Sequence, residues 1–366
     1  LYKFPACAPG DREEWIAVEM GEKKEISTLQ DVNDFTTAPE RRQYSATHAE
    51  IAAGLTTDVY FIKAYDVLRK LHKEATPVVA EIFPRRSGIV AGTEEALHLL
   101  RGRPLKVWAL PEGESFGPKD VVMRIEGPYN EFGIFETALL GILASSSAWA
   151  TAARECKEAA GGKGMLSFGA RHVHPAVAPV MERAALVGGA DGASCILAAK
   201  LAGQEPLGTL PHAVFLIAGD TAEAAAAYDA ILPPAAARLI LVDTFHDEAE
   251  EALRVADALK GKLYGVRLDT PSERGGVTPD LVREVRFRLD LAGYQEVKIF
   301  VSGGLTPDRV RILSEAGADA FGVGSYISGA APIDMTMDLK EIDGKPVAKR
   351  GRLPGRTENP KLRQVI

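Results

Sequence analysis

The chain has 366 residues, 46% of them hydrophobic, enough to bury a full barrel core and still carry a smaller second domain. Its formal net charge of -7 excludes a general surface for nucleic acid or anionic membrane, so anionic ligands must be held by local groups. Three cysteines, Cys7, Cys156 and Cys195, are too far apart for a CxxC pair or a disulfide framework, which points to a reducing, cytoplasmic compartment and no zinc site.

The opening LYKFPACAPGDREEW lacks the basic start and apolar centre of an export signal. No continuous apolar run approaches the ~18 residues of a membrane span, so the expectation is a soluble, unexported protein. Residues 1–55 read as irregular, rich in proline and charge. TTDVYFIKAYDVLRKLHK then has apolar residues at helical spacing, starting near Asp58. The pieces PVVAEIFP, PLKVWALP and VVMRIEG read as strands, with GTEEALHLLRG as a helix among them, giving a small α/β domain. NEFGIFETALLGILASSSAWATAARECKEAA is a long helical pattern whose composition marks a domain boundary.

From Gly164 the strands MLSFGA, PLGTL, RLILVD, LYGVRLD, VKIFVSG and AFGVG alternate with helices such as DEAEEALRVADALKG and TPDLVREVRFRLDLAG. That alternation predicts a parallel sheet buried on both faces, closing as an α/β (β/α) barrel. Six strands are clear. A seventh or eighth is hidden near GADGASCILAAK, or the barrel is incomplete and irregular. The tail MTMDLKEIDGKPVAKRGRLPGR reads as a hairpin turning at Asp-Gly, then a basic loop, returning to the smaller domain. The expected domains are 1–130, 131–335 and 336–366.

Strand C-termini of a barrel open onto one face, so His212 after PLGTLP and Asp243 after LILV can meet there. The pair suits a histidine that accepts a phosphoryl group, oriented by a carboxylate. The alternative is that His212 caps a helix and Asp243 begins a loop. Gly303 and Gly304 in VSGG, and Gly322 and Gly324 in FGVG, end the last two strands beside Ser302 and Ser325. Such ends let backbone N–H groups approach a phosphate, although glycines also end buried strands for structural reasons. Arg267 and Asp269 alternate at one strand end, fit for a pyrophosphate and for a ribose hydroxyl or Mg2+, or else a structural ion pair. Phe168 and Arg171 in SFGARHVHP offer a ring and a guanidinium suited to a flat aromatic carboxylate. His172 and His174 invite a metal reading but have no third ligand at convincing spacing.

With these pieces in order, the chain resembles the nicotinate phosphoribosyltransferases, type II phosphoribosyltransferases of the short archaeal and bacterial form, and more distantly nicotinamide phosphoribosyltransferase. The resemblance runs from TTDVYF to KRGRLPG through EGPYNEFGIFETALLGILA, SFGARHVHP, GGADGAS, GTLPH, VDTFHDEAEEAL, VRLDT and SGGLTPDRV. It implies NAD salvage: nicotinate reacts with phosphoribosyl pyrophosphate to give nicotinate mononucleotide and pyrophosphate, with ATP as co-substrate and Mg2+ carried mainly by substrate phosphates. By motif, His212 is the phosphorylated histidine and Asp243 its partner. Phe168 and Tyr60 are the aromatic walls around the pyridine, Tyr60 arriving from the neighbouring subunit of a homodimer or larger homo-oligomer. Arg171 serves nicotinate or the adjacent pyrophosphate, and Asp191 of GGADG faces the pyridine substituent. Arg267, Asp269 and Thr270 bind the phosphoribosyl group, and the glycines cradle its 5′-phosphate. Some archaeal relatives have a C-terminal cysteine cluster; this chain has no cysteine after Cys195, so no zinc is expected.

Attack at the ribose anomeric carbon needs the pyridine nitrogen in line and the departing anion neutralised, not a protein nucleophile. A phosphorylated His212 would instead alter substrate affinity and draw the equilibrium toward nucleotide. Quinolinate phosphoribosyltransferase, which decarboxylates its substrate, is a rival that should need several extra cationic strand-end residues. A nicotinamide substrate and a non-catalytic phosphosugar-binding barrel are the others.

Overall fold

The computed structural model describes residues 25–366; Cys7 and the start of the segment expected to be irregular lie outside the described residues. Two compact units form, one from 25–87, Gly92–Ala144 and Ile333–Ile366, the other from Gly88–Ala91 and Ser145–Pro332. The division falls inside the helix Glu136–Ala159, where the sequence reading had drawn it before the helix. By length and composition Gly133–Ala159 could cross a membrane, but half of its most apolar window is buried, with Leu139, Leu143, Ala150, Ala153 and Cys156 inside the protein.

In the first unit, part of the segment expected to be irregular is helical. Thr28 with Asp31 and Thr47 with Glu50 form reciprocal capping boxes that start the helices Leu29–Asp34 and His48–Ala52. The helix Val59–Lys70 begins after Asp58 and buries Phe61, Ile62 and Tyr65. An antiparallel six-stranded sheet runs in the order Lys345–Pro346, Met335–Ile342, Pro77–Pro84, Met123–Pro128, Lys106–Ala109, Arg363–Gln364. Asp343 and Gly344 turn the tail hairpin with φ of 50° and 71°, a pair of positive angles that matches the twist of the flanking strands. The tail therefore adds strands at both edges of this sheet.

The second unit holds a curled, open parallel sheet in the order Gly192–Ala193, Gly164–Ser167, Ala320–Val323, Lys298–Ser302, Leu263–Leu268, Arg238–Leu241. Both faces are covered, as the continuous apolar runs predict. Ile240, Leu241, Val266, Leu268, Ile299, Val301, Phe321 and Val323 pack against Ala252, Val255, Val282, Val285, Val310 and Leu313 of the helices Glu248–Leu259, Pro279–Leu291 and Pro307–Glu315. Full burial of each large apolar side chain contributes about 1.5–3 kcal/mol.

One expected strand does not form. PLGTL is loop, and the short strand Gly192–Ala193 inside GGADGAS takes the sheet edge instead. Pro206 and Pro211 have no N–H to give a ladder, and a single bond, Leu207 N to Ala193 O at 2.9 Å, ties the segment to that edge. His212 is accordingly the first residue of the helix His212–Ala218, not a strand terminus.

Candidate active site

Because every strand of the second unit runs parallel, their C-terminal ends open on one side, and a cavity of about 340 Å3 lies there. Phe168, Arg171 and His172 reach it from the turn after Gly164–Ser167, and Ser194 from the end of Gly192–Ala193. Arg267 and Asp269 come from Leu263–Leu268 and its exit. Ser302, Gly303 and Gly304 follow the next strand, and Gly322, Gly324 and Ser325 the last. The loop that failed to form a strand contributes Gly208 and Thr209.

The glycines here serve close approach. A Cβ at Gly322 would lie 2.3 Å from Phe168 Cε2, so only a bare strand lets the ring approach this closely. A Cβ at Gly324 would meet His172 Cε1 at 2.7 Å and the Phe168 carbonyl at 3.0 Å.

The charged groups form a chain. Arg267 Nη1 donates to Thr209 Oγ1 at 2.5 Å and its Nη2 lies 3.4 Å from Asp269 Oδ2, while Ser302 Oγ donates to Asp269 Oδ1 at 2.7 Å. Arg267 Nε is buried without a hydrogen-bond partner. Burial lowers the Arg267 pKa, against the pull of Asp269 and Asp243. Such a guanidinium gains from an anion that completes its bonding.

His212 Nε2 and Asp243 Oδ2 are 3.0 Å apart; the aspartate side chain is 1% exposed and the imidazole 40%. Asp243 Oδ1 is buried with no hydrogen-bond partner. Burial raises the Asp243 pKa, opposed by the hydrogen bond and charge of His212 and reinforced by Asp269. His212 does not cap the helix, whose N-cap is Pro211; it is the first helical residue, and its ring meets Asp243.

Five expected site residues are not among those that line the cavity: His212 and Asp243, which form the pair just described, and three that lie elsewhere. Asp191 precedes the strand Gly192–Ala193 and so sits at the opposite end of the sheet, where it accepts from Met165 N at 2.7 Å and pairs with Lys157 Nζ at 2.6 Å. It does not face the cavity. Thr270 is buried with its hydroxyl donating to Glu248 Oε1 at 2.7 Å, so it is not among the cavity-lining residues. Tyr60 belongs to the first unit, 56% exposed on the helix Val59–Lys70. His174 Nδ1 accepts from Ala176 N at 3.1 Å, and no group of three His, Cys, Asp or Glu side chains able to hold a metal exists among the described residues.

Sequence reasoning missed Thr209, Ser194 and above all Glu182. The helix Ala178–Gly188 turns Ala178, Met181, Ala184, Ala185 and Gly188 inward, and Glu182 shares that buried face. A carboxylate in register with an apolar stripe was the available signal.

Residues 58–147 match the family model of the quinolinate phosphoribosyl transferase N-terminal domain, and residues 149–338 that of its C-terminal domain. Nicotinate phosphoribosyltransferase pncB1 of Mycobacterium tuberculosis is 29% identical over 352 residues, spanning 85% of this chain and 77% of that protein. The pncB2 enzyme of the same organism is 34% identical over 248 residues, 65% of this chain and 52% of that one. The crystal structure of nicotinate-nucleotide pyrophosphorylase from Pyrococcus furiosus superposes with a TM-score of 0.83 at 46% identity, covering 86% of this chain and 82% of that chain. Human nicotinic acid phosphoribosyltransferase, at a TM-score of 0.67 and 21% identity, covering 82% of this chain and 77% of that chain, is alike in fold. The curled parallel sheet with its separate N-terminal unit is the quinolinate phosphoribosyl transferase-like fold of the type II phosphoribosyltransferases. Within that class the chain belongs to the quinolinate phosphoribosyl transferase domain family, and the curated relatives it is similar to are named nicotinate phosphoribosyltransferase.

Proposed function

We propose that this protein transfers the phosphoribosyl group of phosphoribosyl pyrophosphate to nicotinate, giving nicotinate mononucleotide and pyrophosphate for NAD salvage in the cytoplasm. The observation that carries the reading is the one cavity lined by Phe168 with Arg171, by Arg267 with Asp269, and by the glycine-bearing ends at Gly303, Gly304, Gly322 and Gly324. The ring and the Arg171 guanidinium suit a flat pyridine with one carboxylate. Backbone N–H groups at the glycines suit the 5′-phosphate, and Arg267, short of a partner at Nε, suits the diphosphate.

In the transfer, the pyridine nitrogen lone pair forms the bond to the anomeric carbon as the bond to pyrophosphate breaks. The protein holds the two in line and neutralises the departing anion with Arg267. Mg2+, when bound with the substrate, supplies charge neutralisation on the diphosphate oxygens. Asp269 is the cavity carboxylate that would help hold it.

The His212–Asp243 pair supports a second role, coupling to ATP. With Nε2 turned to Asp243, Nδ1 is the nitrogen left to accept the γ-phosphoryl group as ADP departs. Hydrolysis of the phosphohistidine then releases inorganic phosphate and restores the ring. Asp243 orients the imidazole and stabilises its charged form. We further propose a homodimer or larger homo-oligomer in which Tyr60 of one copy closes the pyridine site of another.

A quinolinate substrate is the second reading, favoured by the names of the matching family models and compatible with the Pyrococcus furiosus relative. Against it, the cationic side chains lining the cavity are Arg171 and Arg267, with His172 beside them. One of these is engaged by the diphosphate, which leaves little to hold two ring carboxylates. Nicotinate, nicotinamide and quinolinate should be assayed side by side with phosphoribosyl pyrophosphate, with and without ATP. Nicotinate mononucleotide formed from nicotinate, with ATP consumed, is the expected result. Carbon dioxide release from quinolinate would transfer the protein to the second reading, and no turnover of any pyridine would leave a phosphosugar-binding barrel.

A further inference from the structure

Glu182 is 0% exposed, lies outside the cavity lining, and receives five hydrogen bonds from two separate strand-to-helix turns. Its Oε1 accepts from Ser167 Oγ at 3.2 Å, Gly169 N at 3.0 Å, Ala170 N at 3.3 Å and Ser194 Oγ at 3.0 Å, and its Oε2 from Cys195 N at 2.6 Å. No cation pairs with it among the described residues. Three of the five donors are backbone N–H groups, which can only donate, so the site is built for a group that accepts on both oxygens.

The two turns carry cavity residues. The first holds Phe168 and Arg171, the second Ser194. Gly169 belongs to the arrangement, since a Cβ there would lie 2.6 Å from Met181 Cε and hold the turn off the helix that presents Glu182. We infer that Glu182 is a positioning residue: one buried carboxylate fixes the pyridine-side turn to the neighbouring turn and thereby sets where Phe168 and Arg171 stand. Its role in the reaction rests on the proposed function, whereas its hold on the turns does not.

Truncation to alanine would leave three N–H groups, one of them buried and two part-buried, without their acceptor and endanger folding. Glu182→Gln is the sharper test, because it keeps the shape. Whichever way the amide turns, its NH2 faces an N–H donor, either Cys195 on one side or Gly169 and Ala170 on the other. Amide hydrogen exchange, read in the full-length protein, should accelerate at least tenfold at Gly169, Ala170 and Cys195, while Ile240, Val266 and Val301 in the sheet keep their wild-type rates. The KM for nicotinate should rise about tenfold or more, with kcat within about threefold. Ser167→Ala removes one hydroxyl and spares every backbone contact, so it should leave both readouts near wild type.

Unchanged exchange at the three turn amides, or acceleration spread evenly over the sheet, would overturn the inference and make Glu182 a stabilising residue only. A parallel loss of kcat without a change in KM would do the same. Should the wild-type protein turn over quinolinate and not nicotinate, the proposed function fails and quinolinate becomes the titrant for Glu182. If no pyridine is turned over, the exchange data alone decide.

Discussion

Gly322→Ala adds one methyl group at the contact between the strand Ala320–Val323 and the Phe168 ring. The new Cβ would lie 2.3 Å from Cε2, 2.4 Å from Cδ2 and 3.3 Å from Cζ. Carbon atoms settle at about 3.5–4.0 Å, so the ring has to move by more than about 1 Å. Gly322 is not among the glycines with positive φ, so alanine fits the backbone and the steric overlap is the whole perturbation. Phe168 borders open cavity, which gives the ring somewhere to go, and it will swing into the space proposed for the pyridine. A misplacement of about 1 Å can cost on the order of 100-fold in rate. Steady-state kinetics should therefore show the nicotinate KM up between about tenfold and 100-fold. Thermal stability should fall by less than the ~1–3 kcal/mol of an overpacked core, because the ring escapes. A double-mutant cycle isolates the cause: adding Gly322→Ala to Phe168→Ala should do almost nothing, since the ring it displaces is already gone. A wild-type nicotinate KM in Gly322→Ala, together with a large drop in Tm, would refute the placement of the pyridine against Phe168.

His212→Ala should abolish acid-labile labelling by ATP and Mg2+, and the ATPase with it, yet retain slow ATP-independent transfer; Asp243→Asn should reduce labelling in a folded protein, and intact labelling in His212→Ala would end the phosphohistidine proposal. Arg267→Ala and Asp269→Ala should each weaken phosphoribosyl pyrophosphate binding by about 1.5–3 kcal/mol, and nicotinate binding less, as read by isothermal titration. Mixing folded but inactive Tyr60→Ala and Arg267→Ala subunits under exchange should restore some activity if sites are shared, and no recovery after proven exchange would exclude that arrangement. Burial, with the Asp338 charge added and Lys349 opposing, pushes the Glu136 carboxyl up to about 7 from 4.5. The folded state then holds the proton more tightly than the unfolded chain, so the wild type loses stability as pH rises from 4.5 to about 7; Glu136→Gln should raise Tm above pH 7 and converge with wild type below pH 4.5.

The sheet was legible where strands are long and apolar. RLIL, LYGVRL, KIFVS and AFGV each bury side chains on both faces, and a continuous apolar run is the trace such burial leaves in a sequence. The two-residue strand Gly192–Ala193 leaves no such trace, being too short to carry a pattern. Asp191 is not at the cavity because a motif match fixes a residue's neighbours but not the end of the strand on which it stands; the strand Gly192–Ala193 separates Asp191, beside Lys157, from Ser194, which lines the cavity. Glu182 stayed hidden for another reason. Its place in an apolar stripe marks it as buried but not what it binds, since its partners come from Ser167, Gly169, Ala170, Ser194 and Cys195, in turns that only the fold brings together.

The strand that did not form bears most directly on chemistry. Had PLGTL paired along its length, its backbone groups would have been spent on the ladder and Thr209 would have been held in a pleat. With Pro206 and Pro211 denying two donors, the segment leaves the sheet edge after Leu207 and reaches the strand ends instead. There Thr209 takes a hydrogen bond from Arg267, and three residues on His212 takes up Asp243. Asp243 and Arg267 issue from adjacent strands, with Leu241 paired to Arg267 in register, so the two anchors of the loop lie on neighbouring strands of the sheet. A charge added at His212 would therefore arise on the same short segment that contacts the Arg267 guanidinium. Local proline chemistry, which spoils the strand, is what lets the loop join those two groups.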